Sequence, residues 1–94
     1  MFDFEWDEAK RLANIEKHGI DFTVANLIFD GRPILNLLVG RPSEVRIVTV
    51  AIVDGDSVTA VWTPRGAKIR LISVRSASRA ERRQYRQLHV RRAP

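Results

Sequence analysis

Near the start of the chain, Phe2, Phe4 and Trp6 alternate with Asp3, Glu5 and Asp7. A period of two predicts a short strand with one buried aromatic face. Asp7 then offers an N-cap for a helix over residues 8–18. Ala9, Leu12 and Ala13 fall on one face of it, with Ile15 at the edge. Gly19 suits a left-handed C-terminal cap, and Lys17 and His18 suit the negative helix end. Asp21 reads as a second N-cap, before Val24, Ala25, Ile28 and Phe29 at helical spacing. Asp30-Gly31 ends this helix and Pro33 bars its continuation.

Beyond Pro33 the pattern changes to strands. Residues 34–39 form a weak one, interrupted by Asn36 and closed by Gly40-Arg41-Pro42. RIVTVAIV, residues 46–53, is a buried strand. Asp54-Gly55-Asp56 is a hairpin turn. Residues 57–63 form the next strand, with Val58, Ala60 and Trp62 on one face, and Pro64-Arg65-Gly66 the next turn. Residues 68–75 form the last strand, making an antiparallel meander with its two predecessors. Ser78 and Glu81 form a capping box that starts a helix running to about residue 88. Its apolar content is thin: Ala80, Tyr85 and Leu88. The expected fold class is α+β: an antiparallel sheet of three to four strands, two N-terminal helices and a C-terminal helix, with the helices on one face. Residues 1–94 make a single domain, with 90–94 a frayed tail.

Charge adds direction to this outline. Residues 1–31 carry net −4 and residues 32–94 net +9. Between Arg65 and Arg92 ten basic residues face one acid, Glu81. Such an excess points to a polyanionic partner for the C-terminal half, with a phosphate backbone the foremost counter-charge. There are no cysteines, which excludes disulfides and thiolate zinc sites. No stretch approaches the ~20 apolar residues of a membrane span, and the acidic opening is unlike a signal peptide. A cytoplasmic protein is the default expectation.

Several residues carry a family likeness. Phe4-Glu5-Trp6-Asp7, Lys10, Asn14 and Lys17-His18-Gly19 form one half of it, followed by Phe22, Ala25 and Phe29-Asp30. Arg65-Gly66, Ile69-Arg70-Leu71-Ile72-Ser73, Arg75, Arg79, Glu81-Arg82-Arg83 and Tyr85 form the other. Together they resemble the signature of the BrnT family, over residues 4 to about 88. The resemblance implies a RelE/ParE-like fold and a ribonuclease toxin of a type II toxin–antitoxin pair, which cuts RNA and blocks translation. It also implies a BrnA-like antitoxin, a DNA-binding dimer carrying two toxins.

Metal-independent RNA cleavage must deprotonate a 2′-hydroxyl, stabilise phosphorane charge and protonate the leaving oxygen. Arginine serves the charge but carries protons poorly; histidine, lysine or tyrosine suits the proton steps. The catalytic candidates are therefore His18, Arg65, Arg70, Arg75 and Tyr85. Lys17, Lys68, Arg79, Arg82 and Arg83 are candidate RNA contacts, and Arg82 and Arg86 candidate antitoxin contacts. His89 is discounted as lying at a frayed end. Arg70 and Arg75 are five apart, which puts them on opposite faces of an ideal strand; a bulge or the strand end reconciles them. Tyr85 also reads as a core anchor, and Trp62 as a core residue or a base-stacking platform. No metal-ligand spacing occurs and no cofactor is expected. The alternative function is a non-catalytic basic module that holds nucleic acid or an acidic protein.

Overall fold

The computed structural model describes residues 2–41 and 43–89. The expected tail at 90–94 lies outside the described residues. The elements run β1 (Asp3–Glu5), α1 (Glu8–His18), a 3-10 turn (Phe22–Val24), α2 (Ala25–Ile28), β2 (Leu35–Arg41), β3 (Glu44–Val53), β4 (Asp56–Arg65), β5 (Lys68–Ser76) and α3 (Arg79–His89).

The local signals act as read. Asp7 accepts from the amides of Ala9 and Lys10, and Gly19 closes α1 at φ 70°. Ser78 and Glu81 cap each other reciprocally, at 2.8 and 3.1 Å. Asp54 and Gly55 take φ 52° and 86°, the left-handed pair of a tight hairpin turn. Pro64, expected in a turn, belongs to β4. It stands beyond the last β3 pair, Ile47 with Trp62, where the ladder with β3 has ended.

The fold differs from expectation in four respects. It has five strands, ordered β1-β5-β4-β3-β2, rather than three or four. It is not wholly antiparallel, because β1 pairs parallel to β5, with Phe4 opposite Ile69. The second helix is a 3-10 turn followed by a single α-helical turn, and Asp21 caps the 3-10 part.

The helices also occupy both faces of the sheet, not one. Phe22, Ala25 and Ile28 pack with Ala51, Val53, Val58, Ala60, Ile69, Leu71 and Val74. Ala77 and Tyr85 pack with Val48, Val50, Leu35, Leu37 and Val61. Val50 and Ala51 are neighbours in β3, so these two clusters lie on opposite faces. α3 thus covers the face that α2 leaves open. Asn36, a blemish in the sequence pattern, is used on the α2 side. Thr49 Oγ1 donates to its Oδ1 at 2.6 Å and accepts from the Trp62 indole at 2.8 Å. Trp62 also meets Phe29 edge-on at 5.7 Å, so its ring belongs to the core layer.

α1 does not bury the face its apolar residues define. Leu12 is 54% exposed, and Ala9 and Ala13 are exposed as well. The buried residue is Asn14, turned toward β5. Arg11 ties the helix to its surroundings, pairing with Glu8 at 2.6 Å and with Asp21 at 2.9 Å.

Candidate functional site

β5 supplies the centre of the site. Val61 of β4 pairs with Ser73, while Trp62 pairs with Leu71. Ile72 is therefore an extra residue, a bulge that resets the inside–outside alternation. Ile69, Leu71 and Val74 all face the α2 core as a result. Arg70, Ser73 and Arg75, opposite Thr63, Val61 and Thr59, form one column on the other face. The bulge has a readable sign. Apolar residues at 69, 71 and 74 share a face only if one residue between 71 and 74 is supernumerary, and the pairing with β4 makes that residue 72.

Each arginine of the column is held by a carboxylate. Arg70 Nη1 donates to Glu5 Oε2 at 3.0 Å, which the parallel β1–β5 register places alongside it. Arg65 approaches the same oxygen at 3.9 Å and stays 61% exposed. Arg75 grips Glu81 with two bonds of 2.9 and 3.0 Å. Glu81 also accepts from the Thr59 hydroxyl at 3.0 Å. The Arg75 fork above all, helped by the Ser78 amide and Thr59 against opposing desolvation, pulls the Glu81 carboxyl from its ordinary 4.5 down to about 2. Arg75 is correspondingly raised.

A pH prediction follows from Glu81. Its folded value is depressed, so its stabilising contribution is complete above about 4.5 and is lost as pH falls toward about 2. Glu81→Gln should flatten that acid limb and cost about 1–2 kcal/mol at neutral pH. Urea unfolding at pH 7 and pH 3 measures both; equal losses at the two pH values would remove the linkage.

Asn14 joins α1 to the column. β1 pairs with β5 only from Lys68 to Arg70, so an edge opens above that point. There the Asn14 amide donates to Val74 O at 2.7 Å and to Ile20 O at 2.9 Å. Its oxygen accepts from Val74 N at 3.2 Å and Ser73 Oγ at 3.3 Å. One side chain does the work of a neighbouring strand residue. Beside it lies a shallow cavity of about 270 Å³ lined by Lys10, Asn14, Lys17, His18 and Ser73. Neither Lys10 nor Lys17 has an ion pair among the described residues.

The other sequence candidates are dispersed. Lys68 opens β5 and is exposed. Arg79, Arg83 and Arg86 are exposed on α3 without ion pairs among the described residues. Arg82 Nη1 donates to Ala77 O at 2.8 Å. Tyr85 donates its hydroxyl to Pro33 O at 3.3 Å, and its ring belongs to the apolar cluster of Leu35, Val48 and Val50 under α3. His89, expected at a frayed end, completes α3, with Nε2 2.9 Å from Ile34 O. Residue spacing missed the role of Asn14. A polar side chain within the amphipathic pattern of α1 was the available signal for Asn14. Among the described residues no three His, Cys, Asp or Glu side chains gather as metal ligands. No helix among them is long and apolar enough to cross a membrane.

The family model described as "Ribonuclease toxin, BrnT, of type II toxin-antitoxin system" matches residues 6–81. The chain belongs to the BrnT family. No curated protein was found to match it. The matched span of this BrnT-family chain takes in α1, the bulged strand and Glu81, and so the whole Arg70–Ser73–Arg75 column.

Proposed function

We propose that this BrnT-family chain is a metal-independent endoribonuclease that cuts RNA in the cytoplasm and arrests translation. The bulge at Ile72, which gathers Arg70, Ser73 and Arg75 on one sheet face beside Lys10, Lys17 and His18, is the observation that supports it. The two arginines are four β4 positions apart, about 13 Å along the strand. Anchored to different carboxylates, they serve different phosphates of one RNA strand. The lysines hold a phosphate at the edge of β5, and His18 beside them carries a proton to or from the reacting oxygens. Tyr85 is left as a packing residue.

Purified protein with RNA in excess chelator is the direct test. Cleavage should persist and leave 2′,3′-cyclic phosphate and 5′-hydroxyl ends, the products of 2′-hydroxyl attack. His18→Asn should lower the cleavage rate about 10²-fold with RNA affinity retained. RNA that shifts on a gel yet stays intact would instead mark a binding module.

Silencing is proposed to come from a BrnA-like antitoxin, itself a DNA-binding dimer carrying two toxins. An acidic segment across exposed α3 would neutralise Arg82 and Arg86, one turn apart, and cover the adjoining column. Charge reversal at both should weaken the complex at least tenfold in calorimetry; unchanged affinity takes α3 out of the interface.

A further inference from the structure

His18 also lines a second cavity, of about 650 Å³. It is enclosed by the end of α1, the 3-10 turn, the β3–β4 hairpin and the start of α3. Its size is that of a small-ligand site, in the range of roughly 300–1,000 Å³. Ile20, Val24 and Val58 supply an apolar lining, and His18, Asp54, Asp56 and Arg82 add polar groups. An apolar lining with polar groups among it suits a flat, ring-shaped group with hydrogen-bonding edges. Two carboxylates repel a phosphate, whereas the lysine-lined cavity across His18 attracts one. A nucleotide lying across His18 would thus put its phosphate beside Lys10 and Lys17 and its base in the larger cavity.

The charges also select the base. A carboxylate prefers two adjacent donors, and guanine alone offers them, N1–H and N2–H₂, on its Watson–Crick edge. Adenine and cytosine each place an acceptor beside their amino group, and uracil flanks its N–H with two carbonyls. Guanine O6 and N7 accept in turn from an arginine. Arg82 spends Nη1 on Ala77 O and has no ion pair among the described residues, so the rest of its fork is available. We infer that the cavity lined by Asp54, Asp56 and Arg82 is a guanine-specific base pocket of the RNA site. The inference rests on the ribonuclease reading for its biological use, though not for its first test.

That test is binding of the four ribonucleoside monophosphates, as 3′ and 5′ isomers, followed by NMR of the Gly55 and Ser57 amides. GMP should bind at least about tenfold more tightly than AMP, CMP or UMP. Inosine monophosphate, lacking the N2 amino group, should fall between them. Asp54→Asn with Asp56→Asn should abolish the preference; asparagine tolerates the left-handed conformation of residue 54, so the turn survives. Arg82→Gln probes the opposite edge. The second arm compares cleavage of oligonucleotides differing in one base, where cuts should keep guanine at one fixed position. Equal binding of all four nucleotides, or an unchanged preference in the Asn variants, would overturn the pocket. Cleavage indifferent to guanine overturns the pocket and leaves the ribonuclease standing. Guanine-selective binding without cleavage supports the pocket and removes the ribonuclease.

Discussion

Replacing Arg70 and Arg75 together by alanine is expected to lower RNA cleavage about 10²–10³-fold and to abolish growth arrest on induction. The two share a face only because Ile72 is bulged, and on the proposed reading each, anchored to its own carboxylate, would serve a separate phosphate. Each lost phosphate contact should also reduce the salt slope of RNA binding by roughly 1. Truncation leaves Glu5 and Glu81 without their main partners, a stability cost of about 1–2 kcal/mol each. A second pair of variants separates this cost from the chemistry. Arg70→Lys with Arg75→Lys keeps both ion pairs but loses the planar fork that holds phosphate bidentately. It should lose less stability than the alanine double variant and still cleave at least tenfold more slowly. Full activity in the folded lysine double variant, together with undiminished toxicity of the alanine one, would show that the column is not the site.

The largest stability effect is expected at Asn14, where Asn14→Ala should cost about 3–5 kcal/mol. The residue is 6% exposed and makes four hydrogen bonds, three of them to backbone groups of Val74 and Ile20. Alanine leaves the Val74 N–H and C=O without partners, in a domain whose whole stability is of order 5–15 kcal/mol. Asn14→Asp keeps the shape but sets a carboxylate against two carbonyl oxygens. Its folded pKa must rise above the unfolded value. Relative to the parent, the variant should therefore be least destabilised below about pH 4 and fall further behind as pH rises through the folded pKa of Asp at that position. Urea unfolding across pH reads out both variants. An alanine variant within 1 kcal/mol of the parent would mean that water replaces the amide. Because Lys10, Lys17 and His18 ride on the same helix, loosening this joint should also slow cleavage in proportion to the unfolded population.

What the sequence alone determined is what neighbours within a few residues decide. Asp7, Asp21, Ser78 with Glu81, and Gly19 set helix ends because a cap bonds two to four residues away. Asp54-Gly55 set the hairpin because the turn needs positive φ at just those positions. Strand alternation located three consecutive strands to within a few residues, and family-specific residues at both ends carried the likeness to BrnT. Partner and face belonged to the tertiary structure. Phe2, Phe4 and Trp6 announced a strand, but its parallel pairing with Lys68–Arg70 joins residues 65 apart. The thin apolar side of α3 did not say which sheet face would receive Tyr85; the space left by α2 decided that. The apolar face drawn for α1 ended in solvent, because the open edge of β5 needed a side chain offering both a donor and an acceptor, and Asn14 has both. One inserted residue, Ile72, then brought Arg70 and Arg75 to the same face, since a single-residue shift in a strand turns every later side chain over.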